Sequence, residues 1–269
     1  NDSYAAELDH DDEKLKEQEK KAQVDLANKR GQEGKELSVQ GKHNDAISKY
    51  QEVLSIHMEV LGERHRSVGN IYYDIGRTLR RLHKYEEALK MHEQALDIRL
   101  KIFGNSHAKV AESYNEMGLI FRRQAMHEKS IEMYERSISS GLGASENARS
   151  YSNIGSSLVR LEKDDEAIQM YQKALAIQLQ SLGKQHSDTA NTYHNIGYIL
   201  YRQGEMVESL KMYKEALEIQ LKIFGKQHPT VAKSYNKIGR ILRGCKESEE
   251  ATHEYQRALS LIVSSRRNE

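Results

Sequence analysis

Apolar positions along the chain recur at helical spacing. In residues 192–204, TYHNIGYILYRQG, the side chains of Tyr193, Ile196 and Leu200 share one narrow stripe with Gly197, and polar residues fill the other faces. A second segment carries Ser209, Tyr213, Ala216 and Leu217 at the same spacing, and RQGEMVE, containing Gly204, separates the two. The pattern predicts an antiparallel helix hairpin. A glycine inside a helix costs roughly 1 kcal/mol relative to alanine, so Gly197 needs a reason. Its recurrence supplies one. Gly34, Gly76, Gly118, Gly155, Gly197 and Gly239 are separated by 42, 42, 37, 42 and 42 residues. The last five follow Tyr-x-x-[Ile/Met]-Gly, and Gly34 is a degenerate first member. Twelve residues after each glycine stands Ala46, Ala88, Ser130, Ala167, Ser209 or Ala251; sixteen after stands Tyr50, His92, Tyr134, Tyr171, Tyr213 or Tyr255. Nineteen after stands Val53, Ala95, Ser137, Ala174, Ala216 or Ala258. Glycine and these small residues predict close approach of the paired helices, with tyrosines filling the gaps alongside.

These columns resemble the tetratricopeptide repeat, with tyrosine in place of the usual tryptophan and a period stretched from about 34 to 42 residues. Eight extra residues are about two helical turns and fit a longer second helix, as in YKEALEIQLKIFGKQHP. The endings LGERH, FGNSH, LGKQH and FGKQHP resemble the variant found in kinesin light chains and nephrocystin-type scaffolds. The resemblance implies an all-α fold, a right-handed α-solenoid of about six helix hairpins over residues 21–263. A charged lead-in over 1–20, partly helical or disordered, precedes it, and a disordered tail over 264–269 follows. Leu8, Leu15 and Ala22 are spaced by seven, too briefly to specify a coiled coil. The 37-residue interval, whose segment RSISSGLGASENARS lacks the usual ending, predicts a shorter second helix in the third repeat and a flexible loop over 140–146.

Composition narrows the function. Hydrophobic residues make up 38% and charged residues 30%, mean hydropathy is −0.79, and Pro229 is the single proline. An elongated, helix-rich body suits these values better than a compact globule. A net charge of +1 gives no bulk field for nucleic acid, and no run approaches the ~18 apolar residues of a membrane span. The single cysteine, Cys245, and the lack of a signal-peptide core predict a cytoplasmic setting. Four of the 12 histidines, His65, His107, His186 and His228, share one repeat position. Packed helices lie roughly 8–10 Å apart, too far for equivalent residues a hairpin apart to share one zinc ion with bonds of about 2 Å. They read as turn or cap residues. No HExxH, CxxC pair, GxSxG or P-loop occurs, so a non-enzymatic chain with no cofactor and no metal is expected.

The first-helix face opposite the buried stripe holds the binding candidates. Five residues after successive glycines come Arg81, Arg123, Arg160 and Arg202. Around Arg81 and Arg123, with Arg77 and Asn115, lie Asp74, Glu112 and Glu116, which suit internal pairing in a secondary groove. Toward the C-terminus the same positions offer Arg149, Asn153, Arg160, Asn191, Asn195, Tyr198, Arg202, Lys233, Lys237 and Arg240, with Asn236 beside them, and contain no acid. Asparagine bonds peptide backbone, arginine forks onto carboxylates, and tyrosine adds rigid contact area. Because family first helices line the concave groove, the resemblance implies that these residues hold a peptide with acidic side chains. It further implies a cargo adaptor or a ciliary or cytoskeletal scaffold, with motor or cytoskeletal proteins as partners. Two alternatives differ in class. One is a regulatory module of a larger multidomain protein. The other is a co-chaperone gripping an acidic C-terminal tail, whose lysine and asparagine four apart are missing from Tyr73/Arg77, Asn115/Leu119, Ser152/Ser156, His194/Tyr198 and Asn236/Arg240.

Overall fold

The computed structural model describes residues 2–141 and 143–244, with side chains from residue 14 onward. The chain divides into two compact units, Asn1–Leu142 and Gly143–Glu269. The first contains α1 (Asp2–Val39), α2 (His43–Leu61), α3 (Arg66–Arg81), α4 (Tyr85–Phe103), α5 (Ala108–Arg123) and α6 (His127–Ser139). The second contains α7 (Ala144–Arg160), α8 (Asp164–Ser181), α9 (Ser187–Gln203), α10 (Met206–Phe224) and α11 (Pro229–Gly244). Odd and even helices pair as hairpins, and within each unit every even helix packs on the odd helix that follows it. The expected second helix of the sixth hairpin, with Ala251, Tyr255 and Ala258, lies outside the described residues, as do Cys245 and the tail 264–269. The fold is an all-α solenoid type, built from stacked hairpins in each unit.

A left-handed residue closes every described hairpin. The residue seven after each repeat glycine has positive φ: Gly41 (79°), His83 (60°), Ala125 (58°), Glu162 (60°) and Gly204 (83°). The next amide then donates to a carbonyl five residues back, as from Lys42 to Leu37 and from Glu205 to Leu200, both 2.9 Å. Carbonyls that the helix end leaves without partners are thereby satisfied.

Between hairpins the shared histidines act as N-caps. Nδ1 of His65, His107, His186 and His228 accepts from the amide two residues on, at 3.1 to 3.2 Å. Each fills one of the four donors that a helix start leaves unpaired. Phe103 and Phe224 stack on His107 and His228 with ring centroids 4.1 and 4.5 Å apart. These contacts account for the Phe-Gly-x-x-His endings.

The repeat glycines meet a ring more than a backbone. A Cβ on Gly34 would stand 2.7 Å from the Tyr50 ring, one on Gly76 2.8 Å from His92, and one on Gly118 2.9 Å from Tyr134. Contacts at Gly155 and Gly197 relax to 3.0 and 3.2 Å, both against tyrosines. The column sixteen residues after the glycine therefore lays its ring across the first helix, in the space an alanine methyl needs. Helix approach is also close, because Ser130 Oγ and Ser209 Oγ donate to the carbonyls of Gly118 and Gly197 at 3.0 and 2.7 Å. Tyr50, Tyr134, Tyr171 and Tyr213 are buried, and burial pushes the Tyr50, Tyr134 and Tyr213 phenols up to about 12.

Two stretches differ from the expected layout. The charged lead-in forms the first half of α1, a 38-residue helix rich in Lys, Glu and Gln, which favour helix. Ala144, Ser145 and Glu146 already belong to α7, so the loop expected over 140–146 is shorter at its C-terminal side. Asn147 N–H donates to Gly143 O at 2.9 Å, and Glu146 suits the positive end of the helix. Helix α6 has 13 residues where the other second helices have 18 or 19, at the place where the period falls to 37.

Candidate functional site

A buried polar joint, absent from the sequence reading, ties neighbouring hairpins together. It joins the residue 23 after one glycine to the residue five before the next. Thr192 Oγ1 donates to Gln178 Oε1 at 2.8 Å, and Ser234 Oγ donates to Gln220 Oε1 at 2.6 Å. In the N-terminal unit the equivalent residue is Arg99, whose Nη1 donates to Ser113 Oγ at 2.8 Å and to Lys109 O at 2.7 Å. The joint fails where one member is apolar. His57 faces the position of Ile71, and both of its ring nitrogens are buried without a hydrogen-bond partner.

The C-terminal unit opens a cleft of about 460 Å³ between the first helices α7 and α9. Ser156 and Arg160 come from α7, Asn195, Tyr198 and Arg202 from α9, and Tyr171 of α8 forms part of the floor. One turn of α9 separates Asn195 from Tyr198 and another separates Tyr198 from Arg202, so all three project from the face that turns away from buried Ile196 and Gly197. The Arg202 guanidinium lies 5.9 Å from the Tyr198 ring, and Lys237 Nζ of α11 lies 6.0 Å from the same ring. This exposed aromatic between two cations fits a contact surface for polypeptide.

The other expected groove residues are placed differently. Asn191, Lys233, Asn236 and Arg240 are exposed on α9 and α11, and Asn153 is half-buried on α7, outside the cleft between Arg160 and Arg202. Arg149 is exposed, with Nε 3.7 Å from the Asp188 carboxylate. The face is therefore not free of acids. Arg202 Nη1 lies 3.4 Å from Asp164 Oδ1, Gln203 Nε2 donates to Asp165 Oδ1 at 2.8 Å, and Glu162 lines the cleft. Asp188 belongs to α9 itself, and the two acids beside the end of α9 enter from another element. Asp164 and Asp165 occupy the first turn of α8, where the helix dipole favours carboxylates, and hairpin stacking sets that turn beside the end of α9. Arg160 is exposed and has no ion pair among the described residues, so it is the uncompensated arginine of the cleft.

The N-terminal unit opens a larger cleft, about 560 Å³, among α1, α3 and α5. Arg77 and Arg81 line it, whereas half-buried Asn115 and exposed Arg123 do not. Glu116 takes part in internal pairing, with Oε2 2.9 Å from Arg80 Nε and Oε1 3.7 Å from Arg77 Nε. Arg81 instead donates from Nη1 to Ser38 O at 3.2 Å and Ser38 Oγ at 2.9 Å, linking α3 to α1. At the floor Arg99, 2% exposed, stacks over Tyr73 with Cζ 4.3 Å from the ring centroid. Burial raises the Tyr73 phenol and the Asp74 carboxyl above their ordinary values. Arg99 had a sequence signal: it stands in a column that reads His57, Arg99, Gln178 and Gln220, polar inside an otherwise apolar stripe.

No group of three or more His, Cys, Asp or Glu side chains suited to a metal occurs among the described residues, and no described helix is long and apolar enough to cross a membrane. The tetratricopeptide repeat family model matches residues 37–101, 69–140, 146–205 and 188–262. No curated protein matches the sequence. Among solved structures, BtubC (BKLC) from P. vanneervenii is similar over 92% of both chains at 16% identity, with a TM-score of 0.67. Kinesin light chain TPR-like repeats from Podosopora anserina align with 76% of this chain and 99% of theirs at 17% identity, TM-score 0.63. YrrB, described as a TPR protein with an unusual peptide-binding site, aligns with 77% of this chain and 91% of its own at 18% identity, TM-score 0.56. The chain belongs to the tetratricopeptide repeat family, and its hairpin fold is of the kind seen in kinesin light chain-type repeats.

Proposed function

We propose that the C-terminal unit holds an extended stretch of partner polypeptide whose acidic side chains meet Arg160 and whose backbone meets Asn195. Tetratricopeptide repeats make the chain a protein-interaction scaffold. The observation that carries the finer reading is the cleft itself, where uncompensated Arg160 faces exposed Tyr198 and half-buried Asn195 across about 460 Å³. Arginine forks onto a carboxylate, and the asparagine amide matches both groups of a peptide bond. The likeness to kinesin light chain repeats supports an adaptor role on motor or cytoskeletal partners in the cytoplasm, and the peptide site named for YrrB supports a peptide as ligand.

Arg160→Glu combined with Arg202→Glu tests this on a panel of Asp- and Glu-bearing peptides, read by fluorescence anisotropy. Affinity is expected to fall about tenfold or more with unchanged helicity, since charge-assisted bonds are lost at exposed positions. Arg160→Glu alone carries most of the loss, because Asp164 already compensates Arg202. Full affinity in the double variant would remove the cleft from the function.

A further inference from the structure

The N-terminal unit carries a second site whose chemistry differs from that of the C-terminal groove. Lys35 of α1, Arg77 and Arg81 of α3, Arg99 of α4 and Lys109 of α5 all line its cleft, against the acids Asp74 and Glu112. Glu112 is already engaged, accepting from Lys109 Nζ at 2.9 and 3.0 Å. We propose that this cleft is a receptor for a phosphorylated side chain of a partner polypeptide.

Three features point to phosphate. The first is the floor. Where the C-terminal hairpins close their joint with a neutral glutamine, this one buries a guanidinium that stays protonated. Arg99 makes hydrogen bonds to Lys109 O, Ser113 Oγ and Asn70 Oδ1, its Nη1 lies 3.9 Å from Glu112 Oε2, and its Nε is buried with no partner. A permanent charge 2% exposed at the base of an open cleft raises the potential felt by whatever enters.

The second is the placement of the walls. Lys35 and Arg81 are exposed, Arg77 and Lys109 are half-buried, and they approach from three helices. One carboxylate is satisfied by a single arginine fork. A phosphoryl group has three acceptor oxygens and suits donors converging from several sides.

The third is charge balance. Five cationic side chains face Asp74 and Glu112, and Glu116 beside the cleft also pairs with Arg77, so an excess of about two positive charges remains; a single carboxylate offsets half of it, while a phosphorylated side chain brings about −1.5 to −2. The volume of about 560 Å³ lies within the ordinary range for ligand sites.

The test uses the full chain and three bead-displayed peptide libraries, degenerate except for a central phosphoserine, glutamate or serine. Wild type is expected to be retained on the phosphoserine library about tenfold more than on either other library. Arg99→Gln gives Ser113 an amide partner like the one Ser234 has in Gln220, so the fold is kept while the charge is removed. Its phosphoserine preference should fall at least about fivefold, with an unchanged thermal melt. Lys35→Gln, at an exposed position, provides a second variant and should lower the preference too. Arg99→Gln added to Arg160→Glu with Arg202→Glu should lower phosphoserine retention below that of the double variant, which separates this site from the C-terminal groove. Equal retention of phosphoserine and glutamate, or an Arg99→Gln chain that keeps its preference, would overturn the proposal. Inorganic phosphate that displaces wild type at the same concentration as the phosphoserine peptides would assign a free-anion site and overturn it as well.

Discussion

The two clefts lie on the same face of the same kind of helix, and both have an arginine five residues after the repeat glycine, yet their floors differ. In the C-terminal unit the joints Gln178–Thr192 and Gln220–Ser234 are neutral, short and self-contained. In the N-terminal unit the same joint holds Arg99, and the preceding one leaves His57 opposite Ile71 with both ring nitrogens unpartnered. The packing columns hold the hairpins in one geometry, so chemistry varies where two hairpins meet and a polar pair is exchangeable. One substitution at such a joint turns a structural hydrogen bond into the charged base of a cleft.

Packing differs between the units in the same direction. Glycine-to-ring contacts run from 2.7 to 2.9 Å in the N-terminal unit and from 3.0 to 3.2 Å in the C-terminal unit. Gly34→Ala forces a methyl into the Tyr50 ring, and a buried ring wedged between two helices has little room to retreat. Overpacking costs about 1–3 kcal/mol and the gain in helix propensity returns roughly 1, so a net loss of up to about 2 kcal/mol is expected. Gly197→Ala meets a contact of 3.2 Å, so the roughly 1 kcal/mol gained in helix propensity nearly cancels the strain. Denaturant unfolding of the two variants measures the gap. Equal effects would erase the difference in packing.

Acid separates the units next. His92 occupies the tyrosine column of the second hairpin and is fully buried; burial, then the cations Arg80, Arg99 and Arg77, hold its pKa down to about 3. His57 is also lowered, by burial and then by His65. An unfolded histidine titrates near 6.5, so below that pH the unfolded chain takes up protons that the folded chain refuses. The loss is nearly absent well above pH 6.5 and, for His92, approaches about 1.4 kcal/mol per pH unit as pH drops toward 5, with His57 acting in the same direction. His92→Tyr, which restores the column residue, should flatten that slope in melts between pH 7 and 5. His194 of α9 is lowered as well, by burial and then Lys237, so the C-terminal unit keeps a weaker acid response. Hydrogen exchange resolved by unit would show the N-terminal helices opening first as pH falls.

The fold was legible because it is written in repetition. Six glycines, their small-residue columns and their rings specify a hairpin, and any single column leaves it ambiguous. The cleft on α7 and α9 was legible for a related reason, since its residues lie on the face opposite an unmistakable buried stripe. The compensating acids were not. Asp164 belongs to α8, and only hairpin stacking carries it to Arg202, a relation that angles within one helix do not contain. Arg99 escaped for the opposite reason. It lies on the buried side of a second helix, where an isolated arginine in the sequence reads as surface, and only its alignment with Gln178 and Gln220 marks the column as a polar joint.

The smallest expected effect concerns the hairpin turns. Every described hairpin turn needs one left-handed residue; Gly41 and Gly204 meet that need with glycine, whereas His83, Ala125 and Glu162 carry a side chain there. The N-terminal unit places Ala125 there at φ 58°, where a Cβ crowds the following carbonyl at a cost of about 1–2 kcal/mol. Ala125→Gly removes that crowding but gives the unfolded chain more freedom, an opposing cost of about 0.5–1 kcal/mol. The net expectation is a gain of about 0.5 kcal/mol, roughly 1 °C in melting temperature for a chain of this size. Ala125 is exposed and its side chain contributes to neither cleft, so any change comes from the backbone alone. Gly204→Ala, with the same two terms reversed, should lose a similar amount. If both variants shift the melt in the same direction, backbone strain does not set the stability of these turns, and the resemblance between the two units' hairpins ends at their dihedral angles.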